Sequence, residues 1–502
     1  MPKICLCLTG RTLQRDLEIL EKYRKYVDIA ELRADCLDPD ERFHIRRFPK
    51  MAEIPVILTI RRVCDGGKYA GHEGARITLL AMGLAYAEAD PRSNFAYIDI
   101  EEDINVPSLE EAARAFGTRI IRSFHNLNGV DANLAQKMKD LCWIGDEIVK
   151  AAVMPQSLDD VRLVYKAARE IKDQEKILLC MGDYGVNTRI LADRLGSLLS
   201  YTTVKGEEGI PIAASGQLDP RELTELYRFR EITEKTKIFA VTGFPLKVTG
   251  SPKFFNTVFG IEKTDAVYVP LPAQTIESLI GLAEEIGISG VSVTVPHKET
   301  LLPYLAVKSN AVNAIGACNT IVASPRGWLG YNTDAPGFSD SLLNFSGLKD
   351  LRGKKVSIIG AGGAARAVAS EVFRLKGKAV ILNRTAARAR EIAQPYKFAW
   401  GGLDSHGIKI MEKHTDLIIQ TTTVGMDPDV DGDPLKFYSF TGKELVFDLI
   451  YKPVKTKCLA RAEAAGCKVI NGYDMLLRQA RYQYQYFMEK EFPSSLIGRV
   501  EM

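Results

Sequence analysis

A lysine and a histidine stand where two neighbouring predicted strands could hold them together. Lys150 lies inside the apolar run IVKAAV (148–153), and His125 directly follows the run RIIRSF (119–124). Burial disfavours the charged form of an amine, so a lysine inside a barrel can have a lowered pKa and attack a ketone to form an imine. An outward-facing, salt-bridged lysine is the alternative. A histidine within reach of the imine could move protons and favours the catalytic interpretation.

Further charged and polar residues fall at or just after predicted strand ends. They are Glu31, Arg33, Arg61, Asp65, Arg189 and Gln217. The planar fork of an arginine binds carboxylates in a bidentate manner. Three arginines near one lysine and one histidine therefore indicate an anionic substrate.

The elements that would position these residues are eight short apolar runs separated by segments with helical spacing. The runs are ICLCL (4–8), DIAELR (28–33), PVILTI (55–60), FAYIDI (95–100), RIIRSF (119–124), IVKAAV (148–153), KILLCM (176–181) and YTTV (201–204). Eight alternations predict an α/β fold of the closed (β/α)₈ (TIM) barrel type, whose active site lies at the C-terminal ends of the strands. An open doubly wound sheet would also alternate. The charged segment 221–236 predicts one closing helix and a short linker, which gives a first domain over 1–228.

A second motif predicts a dinucleotide site. A glycine-rich string follows the predicted strand KKVSII and opens a predicted helix; its residues are Gly360, Gly362, Gly363, Ala364 and Ala365. In that setting, glycines allow a tight turn and let a pyrophosphate approach the helix N-terminus. The next predicted strand ends in Asn383, Arg384 and Thr385, where an acidic residue would select NAD. A cation there favours the 2′-phosphate of NADP, a solvated surface arginine being the alternative.

Composition excludes several classes of protein. The 502 residues carry 66 Lys and Arg against 63 Asp and Glu, a net charge of +3. Such a balance, with no local basic patch, gives no field for a nucleic-acid partner. No run approaches the 18 apolar residues of a membrane span, and the first residues resemble no targeting segment. Nine cysteines without a CxxC pair indicate reduced thiols, so we expect a cytoplasmic protein.

The first half resembles the type I 3-dehydroquinate dehydratases. ELRAD, TIRRVCDGG, SFHN, KAAVMP, MGDYGVNTR and SGQ carry the resemblance over about residues 1–225. It implies that Lys150 forms a Schiff base with the C3 ketone, while His125 removes a C2 proton and helps expel the C1 hydroxyl as water. The substrate contacts that it implies are Glu31, Arg33, Arg61, Arg189 and Gln217. Asp65, a candidate partner of His125, stands where many members have Glu, and Ala213 where some have Ser.

The second half resembles shikimate dehydrogenase. TGFPLKVTGSP, VSVTVPHK, ACNTIV, GYNTDAPG, TTTVGMDP, DLIYKPVKT and NGYDMLLRQA carry the resemblance from 237 to about 490. It implies a substrate-binding domain over 237–340, completed by a C-terminal helix at about 474–495, and a Rossmann NADP-binding domain over 345–470. Lys298 and Asp334 match the catalytic pair, the lysine exchanging a proton with the C3 oxygen; a plain salt bridge is the alternative. Thr249 replaces a Ser and Ser292 replaces an Asn of the family pattern.

The same resemblance implies the remaining site residues. The implied substrate contacts are Thr249, Ser251, Thr294, Asn319, Tyr451 and Gln479. The implied cofactor contacts, beyond the glycine-rich string, are Asn383, Arg384, Thr385, Arg388, Met426 and Gly472.

Together the halves resemble the bifunctional dehydroquinate dehydratase/shikimate dehydrogenase family. The expected cofactor is NADP, no metal is expected, and the expected partners are small-molecule substrates, with no nucleic acid and no membrane. The sequence leaves the oligomeric state open. A quinate-oxidising, NAD-dependent second half is one alternative, and a non-catalytic metabolite sensor is another. Ser251, Thr294 and Arg384 argue against the first, and the retained lysines against the second.

Overall fold

The computed structural model describes residues 1–84, 91–246 and 249–502. The chain forms two compact units. The first comprises residues 1–248 and 255–288, and the second comprises residues 249–254 and 289–502. Lys247 and Val248, inside the predicted motif TGFPLKVTGSP, lie outside the described residues.

Eight parallel strands form the barrel of the first unit. They are β1 (Lys3–Leu8), β2 (Ile29–Arg33), β3 (Val56–Thr59), β4 (Tyr97–Glu101), β5 (Arg119–Asn126), β6 (Ile148–Val153), β7 (Lys176–Cys180) and β8 (Leu199–Thr202). Each strand pairs with the next along the chain from β1 to β7, and β1 also pairs with β8. The Leu198 N–H donates to the Lys176 carbonyl at 2.7 Å and links the β7 and β8 edges. The predicted barrel is confirmed.

Helices alternate with these strands because their apolar residues recur on one face. They are α1 (Leu13–Tyr23), α2 (Phe48–Ala52), α3 (Glu73–Leu84), α4 (Pro107–Ala115), α5 (Leu134–Asp140), α6 (Leu158–Glu170) and α7 (Val186–Ile190). In α6, Leu158, Val161 and Tyr165 are buried at spacings of three and four residues. The Ser157 hydroxyl accepts from the Asp160 N–H and caps the helix start.

The segment 221–236 differs from its prediction as one helix. It contains a π-helical turn over Glu222–Leu226 and a 3₁₀ turn over Phe229–Glu231. Between them, Arg228 has a φ of 50°, a left-handed conformation that interrupts a right-handed helix. The segment also buries four apolar side chains; they are Leu223, Tyr227, Phe229 and Ile232. It is therefore anchored to the first unit.

The elements that follow are β9 (Lys237–Gly243), α8 (Ser251–Ile261), β10 (Ala266–Pro272) and α9 (Ile276–Ile286). Strands β9 and β10 are parallel partners within the first unit. Helix α9 lies against α6 there, where Arg162 and Arg169 of α6 both form ion pairs with Glu285 of α9. The barrel and the segment 255–288 are thus parts of one unit.

The second unit begins with a small mixed set of elements. These are β11 (Ile288–Val293), α10 (His297–Thr300), β12 (Leu305–Lys308), α11 (Asn310–Ile315), β13 (Thr320–Ser324), β14 (Gly327–Tyr331) and α12 (Asp334–Ser346). Strand β13 pairs antiparallel with β11 and β14, while β12 is parallel to β14.

A six-stranded parallel sheet completes the second unit. Its elements are β15 (Lys355–Ile359), α13 (Gly363–Arg374), β16 (Lys378–Asn383), α14 (Ala386–Ala393), β17 (Ala399–Gly402), α15 (Ser405–Met411), β18 (Leu417–Gln420), β19 (Leu445–Asp448), α16 (Lys457–Ala464), β20 (Lys468–Ile470) and α17 (Tyr473–Met488). The strand order β17-β16-β15-β18-β19-β20 reverses direction at β15, as in a Rossmann fold. The predicted Rossmann sheet is confirmed, and the last helix ends at Met488 rather than near 495.

No helix among the described residues is long and apolar enough to cross a membrane. All nine cysteines are unpaired thiols.

Candidate active sites

A cavity of about 220 Å³ opens at the C-terminal end of the barrel strands. It is lined by all eight residues that the sequence placed there: Glu31, Arg33, Arg61, Asp65, His125, Lys150, Arg189 and Gln217. Cys7 and Tyr201, which sequence reasoning did not single out, line it as well. The barrel therefore brings the whole predicted set around one small cavity.

Lys150 is buried and forms an ion pair with a residue that sequence reasoning missed. Its Nζ donates to Asp99 Oδ2 at 2.7 Å, and it lies 4.5 Å from the centre of the Tyr201 ring. Asp99 also accepts from Arg61 at 2.8 Å and from the Ser123 hydroxyl at 2.6 Å. Burial alone would raise the pKa of Asp99, but the charges of Arg61 and Lys150 outweigh it and hold that pKa far below its usual range. Asp99 is thus a permanent carboxylate.

His125 lies in the same cavity as a neutral imidazole. Burial, together with the positive charges of Arg61 and Lys150, holds the pKa of His125 well below its ordinary value. Its Nδ1 is buried and has no hydrogen-bond partner among the residues that the structure describes. A neutral imidazole has a free nitrogen that can accept a proton from a bound substrate.

The structure does not join Asp65 to His125 as the sequence suggested. Asp65 lines the cavity, but its carboxylate accepts from Arg62 Nε at 2.7 Å. The shorter Asp side chain is held by the adjacent arginine of its own turn.

The three predicted arginines have different surroundings. Arg33 makes a bidentate pair with Asp35 at 2.9 and 2.8 Å, and Arg61 is shared between Asp99 and Glu101. Arg189 has no ion pair among the described residues; it makes only two 3.5 Å contacts to carbonyl oxygens, and its Nε is unsatisfied. Burial lowers the pKa of Arg189 to about 10. Arg189 is the guanidinium best prepared to receive an anion.

Glu31 and Gln217 are connected through a thiol. The Cys7 thiol donates to Glu31 Oε2 at 3.1 Å, and Gln217 Nε2 donates to the Cys7 sulfur at 3.5 Å. Thr59 donates to the other oxygen of Glu31, and Gln217 Oε1 is buried with no hydrogen-bond partner in the described part of the chain. These groups offer acceptors for hydroxyl groups of a ligand.

The second unit holds the other predicted pair, Lys298 and Asp334. Lys298 Nζ lies 2.5 Å from Asp334 Oδ2, and Asn319 Nδ2 donates to Asp334 Oδ1 at 2.9 Å. Lys298 is on the short helix α10, and Asp334 is the first residue of α12. The carboxylate is therefore fixed by two donors, and the lysine ammonium is held at one position.

Helix α17 adds glutamines to this cluster. Gln479 Oε1 accepts from Thr333 Oγ1 at 3.3 Å and from Asn319 Nδ2 at 3.4 Å. Gln483 accepts from the Ser292 hydroxyl at 2.8 Å. Ser292, which replaces an Asn of the family pattern, thus has a buried partner on α17. Gln483 is a supporting residue that sequence reasoning missed.

The other predicted substrate contacts lie apart from these hydrogen bonds. Thr249 Oγ1 accepts from the Ser251 N–H at 3.3 Å. The methyl group that distinguishes Thr249 from the serine of the family pattern therefore leaves this turn intact. Thr294 is exposed, and Tyr451 is half-buried with a pKa raised by burial. Their roles stay predictions, as do those of Met426, which is exposed, and Gly472, where a Cβ would lie 2.0 Å from the Leu449 carbonyl oxygen.

The glycine-rich turn fits a dinucleotide. Gly360 has a φ of 116°, and a Cβ there would lie 2.4 Å from Thr421 Oγ1. A Cβ on Gly362 would meet nothing within 4 Å, so the backbone at the N-terminus of α13 is open to a pyrophosphate. A Cβ on Gly363 would lie 3.1 Å from Lys298 Cβ. The turn therefore adjoins the lysine of the second site.

The end of β16 suits the adenosine phosphate that the sequence predicted. Arg384, Thr385 and Arg388 are exposed, and Asn383 Nδ2 donates to the Thr385 carbonyl at 3.0 Å. Two exposed arginine side chains beside the end of a Rossmann strand can pair with a 2′-phosphate. No group of three His, Cys, Asp or Glu side chains within the described ranges is arranged to hold a metal ion.

Comparison with known proteins matches each part of the chain. Family models match as type I 3-dehydroquinase over residues 4–234, as shikimate dehydrogenase substrate binding domain over 241–321, and as shikimate/quinate 5-dehydrogenase over 343–425. A lyase barrel followed by an NADP-dependent oxidoreductase defines a bifunctional enzyme.

The similar proteins include both complete and half-length matches. The chloroplastic bifunctional 3-dehydroquinate dehydratase/shikimate dehydrogenase of Arabidopsis thaliana is 29% identical over 96% of this chain and 81% of its own length. The NADP⁺ shikimate dehydrogenase of Moorella thermoacetica is 38% identical over 54% of this chain and 94% of its own. The solved dehydroquinate dehydratase and shikimate dehydrogenase from S. pombe is 22% identical over 99% of this chain and 98% of its own, with a TM-score of 0.42. The chain belongs to the bifunctional 3-dehydroquinate dehydratase/shikimate dehydrogenase family.

Proposed function

We propose that the barrel dehydrates 3-dehydroquinate to 3-dehydroshikimate through an imine on Lys150. The observation that carries the proposal is the small cavity in which Lys150, the neutral His125 and the unpaired Arg189 meet. An amine, a base and an anion receptor are the three groups that elimination from a β-hydroxy ketone carboxylate requires.

The reaction then follows from these side chains. The Lys150 amine adds to the C3 ketone and water leaves, which forms a C=N bond. His125 takes a proton from C2, and the electron pair of that C–H bond moves toward the iminium nitrogen. The C1 hydroxyl leaves as water with a proton returned from His125, and hydrolysis of the imine frees the product. Arg189 holds the carboxylate, while Glu31 and Gln217 receive the hydroxyl groups.

Borohydride trapping tests this step. The enzyme is incubated with product and borohydride, and peptides are mapped by mass spectrometry. The expected adduct is on Lys150. Lys176, also buried on the neighbouring strand but donating to the Ile171 carbonyl, is the internal control and should remain unmodified. An unmodified Lys150 in an enzyme that still dehydrates its substrate would contradict the imine mechanism.

We propose that the second unit reduces 3-dehydroshikimate to shikimate with NADPH. The observation that carries this proposal is the approach of the glycine-rich turn to Lys298, which is paired with Asp334. Gly360, Gly362 and Gly363 would accept the pyrophosphate, and Arg384 and Arg388 the 2′-phosphate. Bound NADPH supplies a hydride for a ketone carbon.

The protein supplies the proton. Lys298 can donate from Nζ to the oxygen that becomes an alcohol, and Asp334 holds the ammonium in place. Asn319 orients Asp334, and Gln479 supports Asn319 from α17. When an alcohol is oxidised, the proton moves in the opposite direction, from the hydroxyl oxygen to Lys298.

Two assays test the second activity. Supplying 3-dehydroquinate and NADPH to the full chain should yield shikimate. Comparing kcat/KM for shikimate with NADP against quinate with NAD should favour the first pair, because Arg384 stands where an acidic residue would select NAD. A preference for quinate and NAD would refute this assignment. The nine unpaired thiols suit a reducing compartment, and we propose the cytoplasm.

A further inference from the structure

The barrel places a carboxylate directly on the nitrogen atom at which the chemistry occurs. Asp99 of β4 and Lys150 of β6 lie on alternate strands, whose inward side chains share a layer in this fold. The Nζ to Oδ2 distance is 2.7 Å, and both side chains are almost completely buried. Arg61 and Ser123 hold the other oxygen of Asp99, so Oδ2 is directed at Lys150.

We propose that Asp99 is the counter-ion of the protonated imine on Lys150 and keeps that nitrogen protonated through the elimination. The inference rests on the imine mechanism proposed above and adds a role for Asp99. A protonated imine withdraws electrons from C2 far more strongly than a neutral one, so retention of this proton makes the C2–H acidic. The N–H of the iminium donates to Oδ2 along the same line as the ammonium N–H.

The side chains around Lys150 indicate that Asp99 is the counter-ion. The other charged or titratable groups that face the pair are Cys5, Glu31, Arg33, Arg61, His125 and Tyr201. Burial raises the pKa of Cys5 and of Tyr201 well above their ordinary values, so both are neutral. Arg33 is paired with Asp35, and Arg61 divides its charge between Asp99 and Glu101.

The Asp99 carboxylate, which favours the elimination, hinders the first step of the reaction, in which Lys150 attacks the ketone. It favours the ammonium form of Lys150 and so slows formation of the neutral nucleophile. Two changes are therefore expected in Asp99→Asn: the free amine of Lys150 loses its proton more easily, and the iminium loses its proton at a lower pH than in the wild type. A residue that only supports the fold would produce neither shift.

The test compares Asp99→Asn with Glu101→Gln, which also removes a buried carboxylate of β4 bound to Arg61 but does not contact Lys150. Each enzyme is incubated with product and cyanoborohydride, which reduces iminium ions, over pH 5–9. In Asp99→Asn the midpoint of trapping should fall by about 1–3 pH units, the range for loss of an adjacent opposite charge. Its kcat for dehydration should fall by about 100-fold, as for loss of one preorganised electrostatic group. In Glu101→Gln the midpoint should not move.

A measurement on the wild-type enzyme keeps the proposal falsifiable where a variant fails to fold. The C=N stretch of the product adduct, followed by Raman difference spectroscopy, shifts in D₂O only when the nitrogen carries an exchangeable proton. The shift should persist from pH 6 to pH 9. Its loss within that range, or equal midpoints in wild type and Asp99→Asn, would overturn the counter-ion role. Absence of any adduct in the wild type would instead overturn the imine mechanism itself.

Discussion

Replacement of Arg189 should make the barrel more stable and weaken its binding of the substrate. The side chain is buried, it has no ion pair among the described residues, and burial lowers its pKa from the ordinary value of an arginine to about 10. At 1.36 kcal/mol per pKa unit, retention of the charge costs about 3 kcal/mol at neutral pH. Two weak contacts to carbonyls return about 0.5 kcal/mol each.

Arg189→Met removes the charge and keeps most of the volume. We therefore expect a gain of about 2 kcal/mol, or about 4–8 °C in the Tm of the first unit. The loss of a charge-assisted contact of about 1.5–3 kcal/mol should raise KM for 3-dehydroquinate by about 10- to 150-fold. Calorimetry of the full chain measures the Tm of the first unit. The unfolding transition of that unit is the one whose Tm changes when product is added to the wild-type enzyme. Steady-state kinetics measures KM for 3-dehydroquinate.

Arg122→Met is the matched control. Arg122 is equally buried, but it pairs with Glu110 and Glu147, so its removal leaves buried carboxylates uncompensated. That variant should lose about 3–5 kcal/mol. If Arg189→Met is destabilised in the same way, or if its KM is unchanged, Arg189 is a structural residue and not an unoccupied anion receptor.

Three further predictions concern other parts of the chain. Arg384→Ala should weaken NADP binding by about 1.5–3 kcal/mol and leave NAD binding unchanged, as measured by fluorescence titration; equal losses would mean that Arg384 does not contact the 2′-phosphate. Lys150→Ala should abolish only dehydration and Lys298→Ala only reduction, which separate assays of the two steps on purified enzyme would show; loss of both in either variant would contradict two independent sites. Burial raises the pKa of Asp16 from 3.8 to about 7, so its unfolded form ionises first and stability falls by up to about 4 kcal/mol as pH rises from about 4 to 7. Asp16→Asn keeps an acceptor for the Gly10 N–H, so its advantage in urea unfolding should grow from pH 5 to pH 8, and a constant difference would refute this.

The strands were predictable from sequence because their burial is continuous. Each of the eight runs overlaps the observed strand, with ends that differ by at most two residues, and residues placed at strand ends line the cavity. The segment 221–236 was not predictable, because its charge pattern is helical while the chain turns at Arg228 with a positive φ. That conformation depends on tertiary contacts, including hydrogen bonds from Arg228 to the Thr264 and Ala266 carbonyls.

Asp99 shows what pattern reasoning misses within a strand. It lies inside FAYIDI, where a single acid in an apolar run looks like an ordinary strand residue. Its partner is 51 residues away on β6, and only the closure of the barrel brings the two together. A usable signal was present: an acid and a lysine within apolar runs two strands apart point into one layer of a barrel. The catalytic role of Asp65 stays a prediction; the sequence did not indicate that Arg62, a neighbour in the same turn, would donate a hydrogen bond to its carboxylate.

The ion pairs between α6 and Glu285 make the stability of the barrel depend on a residue that lies in the second half of the sequence. A truncated chain that ends near residue 234 would lack Glu285 and leave Arg162 and Arg169 of the barrel without this partner. A natural or engineered recombination event at that point would therefore transfer a barrel without Glu285, and we expect that barrel to be less stable than in the full chain. A crossover that keeps Glu285 with the barrel would avoid this loss, but it would divide the substrate binding domain that the family model matches over residues 241–321, so the two activities cannot be exchanged at either point without a cost in stability.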